Sequence, residues 1–459
     1  MLTKIQKGFA ERTRSVYAGW SNYGKIVRPI CFVLLSLLLE GCATQPAHQP
    51  VTLTLLEEWT NKAFSDARQQ ELQQFTRGTG IQVNLLPSPE SARLKLVLWK
   101  ELLGGRASDP DVYGIDVIWT GMLSESFIDL KPYFAKEISL QFPGMAAGFT
   151  VNDKVVAIPY RPDIGLFFYR TDLLRQYGYS EPPRTWDELE TMAVRIQAGE
   201  RAKGKKEFWG FVWQGAADEG LTCNALEWQA AEGGGRIIEN DQTISVNNPQ
   251  AISAWQRAAR WVGTISPPGV VGYREWDSLN VWVAGDAAFM RNWPSAYVDS
   301  QAAGSPIRNK FDVGLLPGGE ADRVGTLGGW GLAVSRFSPH PREALELVRY
   351  LTAKDVQVKR ARVLSQPPTL PELYTLPEVL ESSPHTELLG QAFRTGLVSR
   401  PSNVTGKKYQ DVSEAYIQAV HSVLTGEKHA PEAAAVLEKE LVRTTGFRTG
   451  PPVGNSTHP

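Results

Sequence analysis

Apolar and polar positions along the chain switch repeatedly between a period of two and a period near 3.6. The run "VTLTLLEEW" at 51–59 alternates and then turns apolar, as a strand does, and "AFSDARQQELQQFTRGTG" carries helical spacing up to a glycine stop. "IQVNLLP" predicts a second strand, "SARLKLVLWKELLGG" a second helix and "DPDVYGIDVIWT" a third strand. Strand, helix, strand, helix and strand with short joins imply a parallel sheet covered by helices on both faces.

The same alternation continues. "VVAIPYRPDIGLFFYRTDLL" holds two strand-like runs flanking "PYRPD", and "TWDELETMAVRIQAG" predicts a helix with Thr185 as its N-cap and acids in its first turn. "FWGFVWQG", "FDVGLLPG" and "GGWGLAVSRFS" predict strands, while "TCNALEWQAAEGGGRII" and "NPQAISAWQRAARWVG" predict helices. The last third reads as mostly helical. The pattern therefore predicts an α/β protein of two lobes, each interrupted by the other, with a helical C-terminal region. A first crossing is expected at "AIPYRPD", where Pro159 and Pro162 sit in an extended run, and a second near "NWPSAY". The expected boundaries are residues 51–160 plus 297–352 for one lobe, 161–296 plus 353–445 for the other, and a flexible tail at 446–459.

The first fifty residues follow another logic. Six Lys or Arg from Lys4 to Arg28 precede the apolar run "PICFVLLSLLL" and the polar "EGCATQPAHQP", the order of a secretory signal. The apolar run is too short to span a bilayer comfortably. "LLLEGC" is similar to a bacterial lipobox, which makes Cys42 the expected site of lipidation, residues 1–41 a signal peptide and 42–50 a polar tether. The protein is thus expected outside the cytoplasm, periplasmic or at the cell surface, anchored by lipid.

Composition removes several classes. A net charge of -1 gives nucleic acid and acidic membranes no electrostatic hold. With Cys31 and Cys42 in the leader, Cys223 stands alone, so neither a disulfide framework nor a zinc site can be built; Cys223 reads as a buried small residue. No metal or organic cofactor is indicated, and the usual hydrolase and nucleotide signatures are missing. Fourteen Trp and fourteen Tyr point either to a large core or to flat platforms for a ligand.

Polar and aromatic residues recur at strand ends, where open α/β sheets bind ligands. Glu57 and Glu58 follow the first strand, Asp116 and Trp119 the third, and Tyr160, Arg161 and Asp163 lie in "PYRPD". Trp293 precedes a proline in "FMRNWPSAY", and so is expected on a turn; Trp330 sits between glycines in "LGGWGLAV". Each has a plainer reading as well: the carboxylates as caps or solvated strand ends, the rings as core.

The order of "GIDVIWTG", "IPYRPDIGLFFYRTDLL", "TWDELE", "GDAAFMRNWPSA", "FDVGLLPGG", "LGGWGLAVS" and "SRPSNVTGKKYQDVSEAYIQAV" resembles the extracellular solute-binding proteins of bacterial carbohydrate ABC transporters, nearest to the trehalose/maltose-binding branch. The likeness runs from about residue 51 to about residue 445. It implies a type II periplasmic-binding-protein fold whose lobes close on a sugar and pass it to an ABC permease, without catalysis. It further implies that Asp116 and Asp163 bond sugar hydroxyls, that Trp293 and Trp330 stack on the sugar, and that Gly329 offers backbone contact. Glu57 or Glu58 matches an acid after the first strand, Arg161 stands where relatives usually carry an aromatic, Arg400 matches from the C-terminal region, and Arg93 or Lys95 is an expected donor. The chemistry agrees, since a sugar offers C–H faces to rings and a rim of hydroxyls to charged groups. Two alternatives stand beside it: an exported glycoside hydrolase using Asp116 and Asp163, and a receptor for a phosphorylated polyol bound through Arg161 and Arg400.

Overall fold

The computed structural model describes residues 51–453, apart from 59–61, 87, 90–91, 107, 320–322 and 383–384. The signal, tether and lipidation expectations, Cys42 included, lie outside the described residues, as does Trp59.

Two sheets organise the chain. The first contains β1 (Thr52–Leu56), β2 (Gln82–Leu86) and β3 (Val112–Asp116), with β1 pairing both neighbours in parallel, as the helical joins predict. Helices α1 (Lys62–Thr79) and α2 (Ala92–Gly104) make those joins. Also in this sheet are β4 (Ile158–Ile164), β9 (Gly325–Val334) and the two-residue β10 (Leu397–Val398). The ten residues of β9 are all buried, and the strand runs antiparallel to both β3 and β4.

The second sheet has the order β8-β5-β7-β6, built from β5 (Leu166–Tyr169), β6 (Trp209–Val212), β7 (Ala287–Asn292) and β8 (Asp312–Gly314). Around it lie α3 (Trp186–Ala202), α4 (Glu219–Ala231), α5 (Pro249–Trp261) and α6 (Glu275–Val283). Thr185 caps α3 as expected: its Oγ1 accepts from the Glu188 N–H at 3.2 Å while Glu188 Oε2 accepts from the Thr185 N–H at 3.3 Å, a reciprocal capping box. Most of the tryptophans belong to the core. Trp213 and Trp261 both meet Trp228 edge-on, with ring centroids 5.0 and 5.6 Å away, and Trp186 lies 5.5 Å from Trp261.

The crossings between sheets differ from the sequence expectation. Pro159 and Pro162 do not break the chain, because β4 continues through them at the sheet edge, where a missing N–H costs no ladder bond. The first crossing is Gly165, between β4 and β5. The second is not at "NWPSAY": β8 still pairs with β5 across Asp312 to Gly314, so the chain returns only between Gly314 and Gly325. Both returns require glycine. A Cβ on Gly165 would overlap Glu227 Oε1 and come within 2.6 Å of Arg291 Nη2, and one on Gly325 would lie 2.5 Å from the Gly165 carbonyl oxygen.

The expected assignment of 353–445 to the second lobe is also corrected. Helices α7 (Pro341–Leu351), α8 (Lys354–Leu364) and α9 (Thr386–Thr395) pack with the first sheet, and Arg360 on α8 pairs with Glu71 on α1. Only α10 (Tyr409–Leu424) and α11 (Ala430–Thr445) join α4 and α5. Beyond them, Ile244 donates to the Arg448 carbonyl at 2.8 Å and accepts from the Gly450 N–H at 3.1 Å, so the start of the expected flexible tail is held against the second lobe.

Candidate functional site

The two acids after β1 go to different places. Glu57 is fully buried and accepts from Arg68 Nε at 2.5 Å and Nη2 at 3.0 Å. Arg68 also donates to Glu71, which accepts from Arg360 Nε at 2.8 Å and Nη2 at 3.0 Å. These four charges pair with one another, leaving Arg360 Nη1 without a hydrogen bond among the described residues, beneath the ring of Tyr160, whose centroid lies 5.3 Å from the Arg68 guanidinium. Glu57 is therefore spent inside the lobe, and of the two acids expected after the first strand it has no accessible surface to offer a ligand. Tyr160, buried between the two arginines, is likewise packing.

Glu58 is the acid that reaches the strand ends. It accepts from Lys95 on α2 and from Arg161 Nη2 on β4. Burial would raise its carboxyl, but the two cations outweigh that and hold it below the usual carboxylate range. Lys95, one of the two expected donors, reaches Glu58. Arg161 places its guanidinium 5.3 Å from the centre of the Trp330 ring and 5.7 Å from that of Phe64, and its Nε lies 3.9 Å from Asp163 Oδ2.

Register across β9 brings the remaining groups together. Trp330 lies opposite both Asp116 on β3 and Arg161 on β4, and Gly328 lies opposite Asp163. Gly329 has φ +115, and a Cβ there would lie 2.5 Å from the Arg161 carbonyl oxygen, so the backbone can take this path only as glycine. Trp330 meets Trp119 edge-on at 5.4 Å, and the Lys95 ammonium lies 5.7 Å from its centroid. The ring is only 6% exposed, so any stacking face it has is narrow.

Trp293 arrives from the other sheet. It follows β7 on a turn, as the proline after it predicts, and packs on the first lobe: a Cβ on Gly328 would lie 3.0 Å from Trp293 Cζ3 and 3.2 Å from the Asp163 Cβ. Its indole N–H donates to Glu275 at 3.4 Å, and the Arg291 guanidinium lies 4.3 Å from the ring. Arg291 is fixed by Glu227, through Nε at 2.9 Å and Nη2 at 2.5 Å, and Glu227 Oε1 also accepts from the Thr326 N–H at 3.0 Å. A buried ion pair of the second lobe thus grips a strand of the first.

Asp116 ends β3 and accepts from the Ile118 N–H at 3.1 Å, capping the short turn 117–119. Arg400 closes this side. Its Nη1 donates to Glu219 at 2.9 Å, its Nη2 to the Leu327 carbonyl at 3.1 Å, and Asp116 lies 4.0 Å away. Burial pushes the Asp116 carboxyl up to about 6 against the pull of Arg400, and the Asp163 carboxyl up to about 7 against that of Arg161. The neighbouring Glu58 adds to both shifts. Four carboxylates, Glu58, Asp116, Asp163 and Glu219, thus interleave with Lys95, Arg161 and Arg400 beside two indoles from different lobes. A cavity of about 970 Å³ shares Leu327 and Arg400 with this constellation, but its lining includes neither tryptophan. Among the described residues no group of His, Cys, Asp and Glu is arranged to hold a metal ion.

A family model described as bacterial extracellular solute-binding protein matches residues 60–358. The chain belongs to that family. A probable ABC transporter-binding protein of Deinococcus radiodurans is 43% identical over 415 residues, covering 90% of this chain and 98% of its own. Among solved structures, maltose-bound MalE3 of T. maritima superposes with TM-score 0.77 at 35% identity, covering 85% of this solute-binding protein and 99% of that chain. The GacH receptor of Streptomyces glaucescens, solved without ligand and with acarbose, superposes with TM-score 0.76 at 23% identity over 87% of this chain and 100% of its own, a likeness of fold alone. The architecture is accordingly that of type II sugar-binding proteins.

Sequence reasoning missed the groups that hold this solute-binding protein's site in place: Glu219, Glu227, Glu275 and Arg291. Arg291 did leave a signal, since a charge inside the apolar strand "AAFMRN" demands a buried partner. That partner is 64 residues away and has no local signature.

Proposed function

We propose that the protein is the substrate-binding component of an ABC importer, capturing a neutral sugar between two closing lobes and delivering it to the membrane permease. A disaccharide such as maltose or trehalose is the proposed ligand. The observation that carries this reading is the convergence of Glu58, Asp116, Asp163, Arg161 and Arg400 with Trp293 and Trp330, one ring from each lobe. Rings take the C–H faces of a sugar, and charged groups take its hydroxyls through charge-assisted hydrogen bonds. The backbone at Gly329 completes the proposed contact set. Maltose in the MalE3 structure supports the choice of ligand class. Export through residues 1–41 and lipid attachment at Cys42 belong to the same proposal; the family description, extracellular, supports export.

Charge weighs against a phosphorylated polyol, because the three cations of the site already face four carboxylates. The glycosidase reading has one observation in its favour, the raised Asp116 and Asp163 carboxyls. An acid and base pair, however, needs its two groups pushed apart, and here both move the same way for the same cause. Calorimetric titration of the purified protein with α-linked disaccharides tests the assignment. Saturable binding without product formation is expected. Hydrolysis, or binding of phosphorylated polyols alone, would overturn it.

A further inference from the structure

On the proposed sugar-binding reading, the corner formed by Arg161 and Asp163 holds more than general affinity. The two residues stand two apart on β4, so their side chains leave the same face of the strand, and their nearest charged atoms are 3.9 Å apart. A guanidinium has five N–H donors and no acceptor. Nη2 of Arg161 is taken by Glu58, whereas Nε and Nη1, both buried, make no hydrogen bond among the described residues. The side chain has no freedom to seek water, since it is only 7% exposed, clamped by Glu58 and laid against Trp330 and Phe64. Beside it, the Asp163 side chain remains 22% accessible and when ionised can only accept.

We propose that Arg161 and Asp163 together read one hydroxyl of the bound sugar, Arg161 donating to its oxygen and Asp163 accepting its proton, so that this corner is a specificity-determining contact. A hydroxyl is the sugar substituent that accepts and donates at once. A hydrogen in its place leaves two buried donors and a carboxylate unpaired. A protonated amine can donate to Asp163 but cannot accept from Arg161, and so leaves the two buried donors unpaired. The cleft therefore selects neutral sugars hydroxylated at this corner and rejects their deoxy and amino counterparts.

The test is a cycle between ligand and side chain, run by calorimetry on the full-length protein. Wild type, Arg161→Met and Arg161→Lys are each titrated with whichever of maltose and trehalose the wild type binds, and with its monodeoxy and amino derivatives. One deoxy derivative is expected to bind the wild type roughly ten- to hundredfold more weakly than the parent, the loss that follows from stranding buried partners. Against Arg161→Met that ratio should shrink towards one, which a merely structural role for Arg161 would not produce, because distortion weakens every ligand alike. Should Arg161→Met fail to fold for want of the Glu58 pair, Arg161→Lys keeps the charge, loses the fork and carries the same cycle. Unchanged ratios for every derivative in the folded variants overturn the proposal while leaving the sugar receptor standing. A wild type that binds no sugar overturns both.

Discussion

Two charge clusters begin one residue apart at the end of β1 and have opposite characters. Glu57, Arg68, Glu71 and Arg360 are all buried and almost fully paired, linking β1 and α1 to α8. Glu58, Lys95, Arg161 and Asp163 are also drawn together, but the carboxylates stay partly accessible and Arg161 keeps two donors without a partner. A satisfied network has nothing left to offer a ligand and serves to fix the fold. An unsatisfied one carries a cost that only a partner from outside removes. The difference leaves Glu58, rather than Glu57, as the acid with accessible surface to offer a ligand.

The sharpest way to break the comparison is to remove one charge from each cluster. Arg68→Met strands Glu57 in a dry interior and leaves Glu71 to Arg360 alone, and breaking a buried pair in this way costs about 3–5 kcal/mol. Urea unfolding should show that loss. Glu58→Gln leaves Lys95 and Arg161 beside a neutral acceptor at a partly open site and should cost far less stability while weakening sugar binding. Equal losses of stability in the two variants would dissolve the distinction.

Next in size is the crossing strand. Gly165→Ala puts a methyl group against the Glu227 and Arg291 pair, with Arg291 Nη2 only 2.6 Å from the new Cβ. Overpacking of this kind costs about 1–3 kcal/mol. Because Glu227 also holds Thr326 and Arg291 lies against Trp293, ligand affinity should fall with stability, unlike in Arg68→Met. Unfolding curves and titrations on the same sample check both.

How far the sequence foretold these features depends on the range of the interaction. The strand and helix alternation was readable because each element carries its own period, and Thr185 as a cap because its box lies within four residues. The crossings were misplaced because they depend on pairing: β8 is three residues long, and only its ladder with β5 shows that it belongs to the second sheet. Pro159 and Pro162 lie in an extended run, as expected, but that run is an edge strand of the first sheet and ends just before the crossing at Gly165. At the site, residue types at strand ends marked Asp116, Asp163, Trp293 and Trp330, and the fold brings these four together. They were not enough to separate Glu57 from Glu58, because the partners that divide them, Arg68 for Glu57 and Arg161 for Glu58, lie 11 and 103 residues along the chain and meet them only in the folded structure.

A smaller effect is expected at the platform that joins the lobes. Trp293→Ala removes the ring that rests on Gly328 but leaves the Glu227 and Arg291 pair in place. Sugar affinity should drop roughly ten- to hundredfold, from lost ring contact and apolar area, with little change in the unfolding midpoint. A collapse of stability would instead mark Trp293 as core.

The finest test of the open cluster is pH. Burial raises the Asp163 carboxyl to about 7 and that of Asp116 to about 6, so both take up protons in the empty cleft under mildly acidic conditions. A sugar hydroxyl that donates to either carboxylate prefers it ionised, so binding below neutrality releases protons. Affinity should therefore rise, by roughly tenfold, between about pH 5.5 and about pH 7.5, and then level off. Stability moves the other way. A carboxyl raised by folding contributes stability that is fully present below its unfolded value near 4 and is lost as pH climbs through 6 and 7. The empty protein should thus lose a little stability across the window in which its affinity improves. Glu58 takes no part, because Arg161 and Lys95 outweigh its burial and keep it ionised throughout. Asp163→Asn should flatten most of the affinity profile when titrated calorimetrically at each pH. A profile that stays steep in Asp163→Asn, or that falls as pH rises, would show that the carboxylates of the open cluster do not face the ligand.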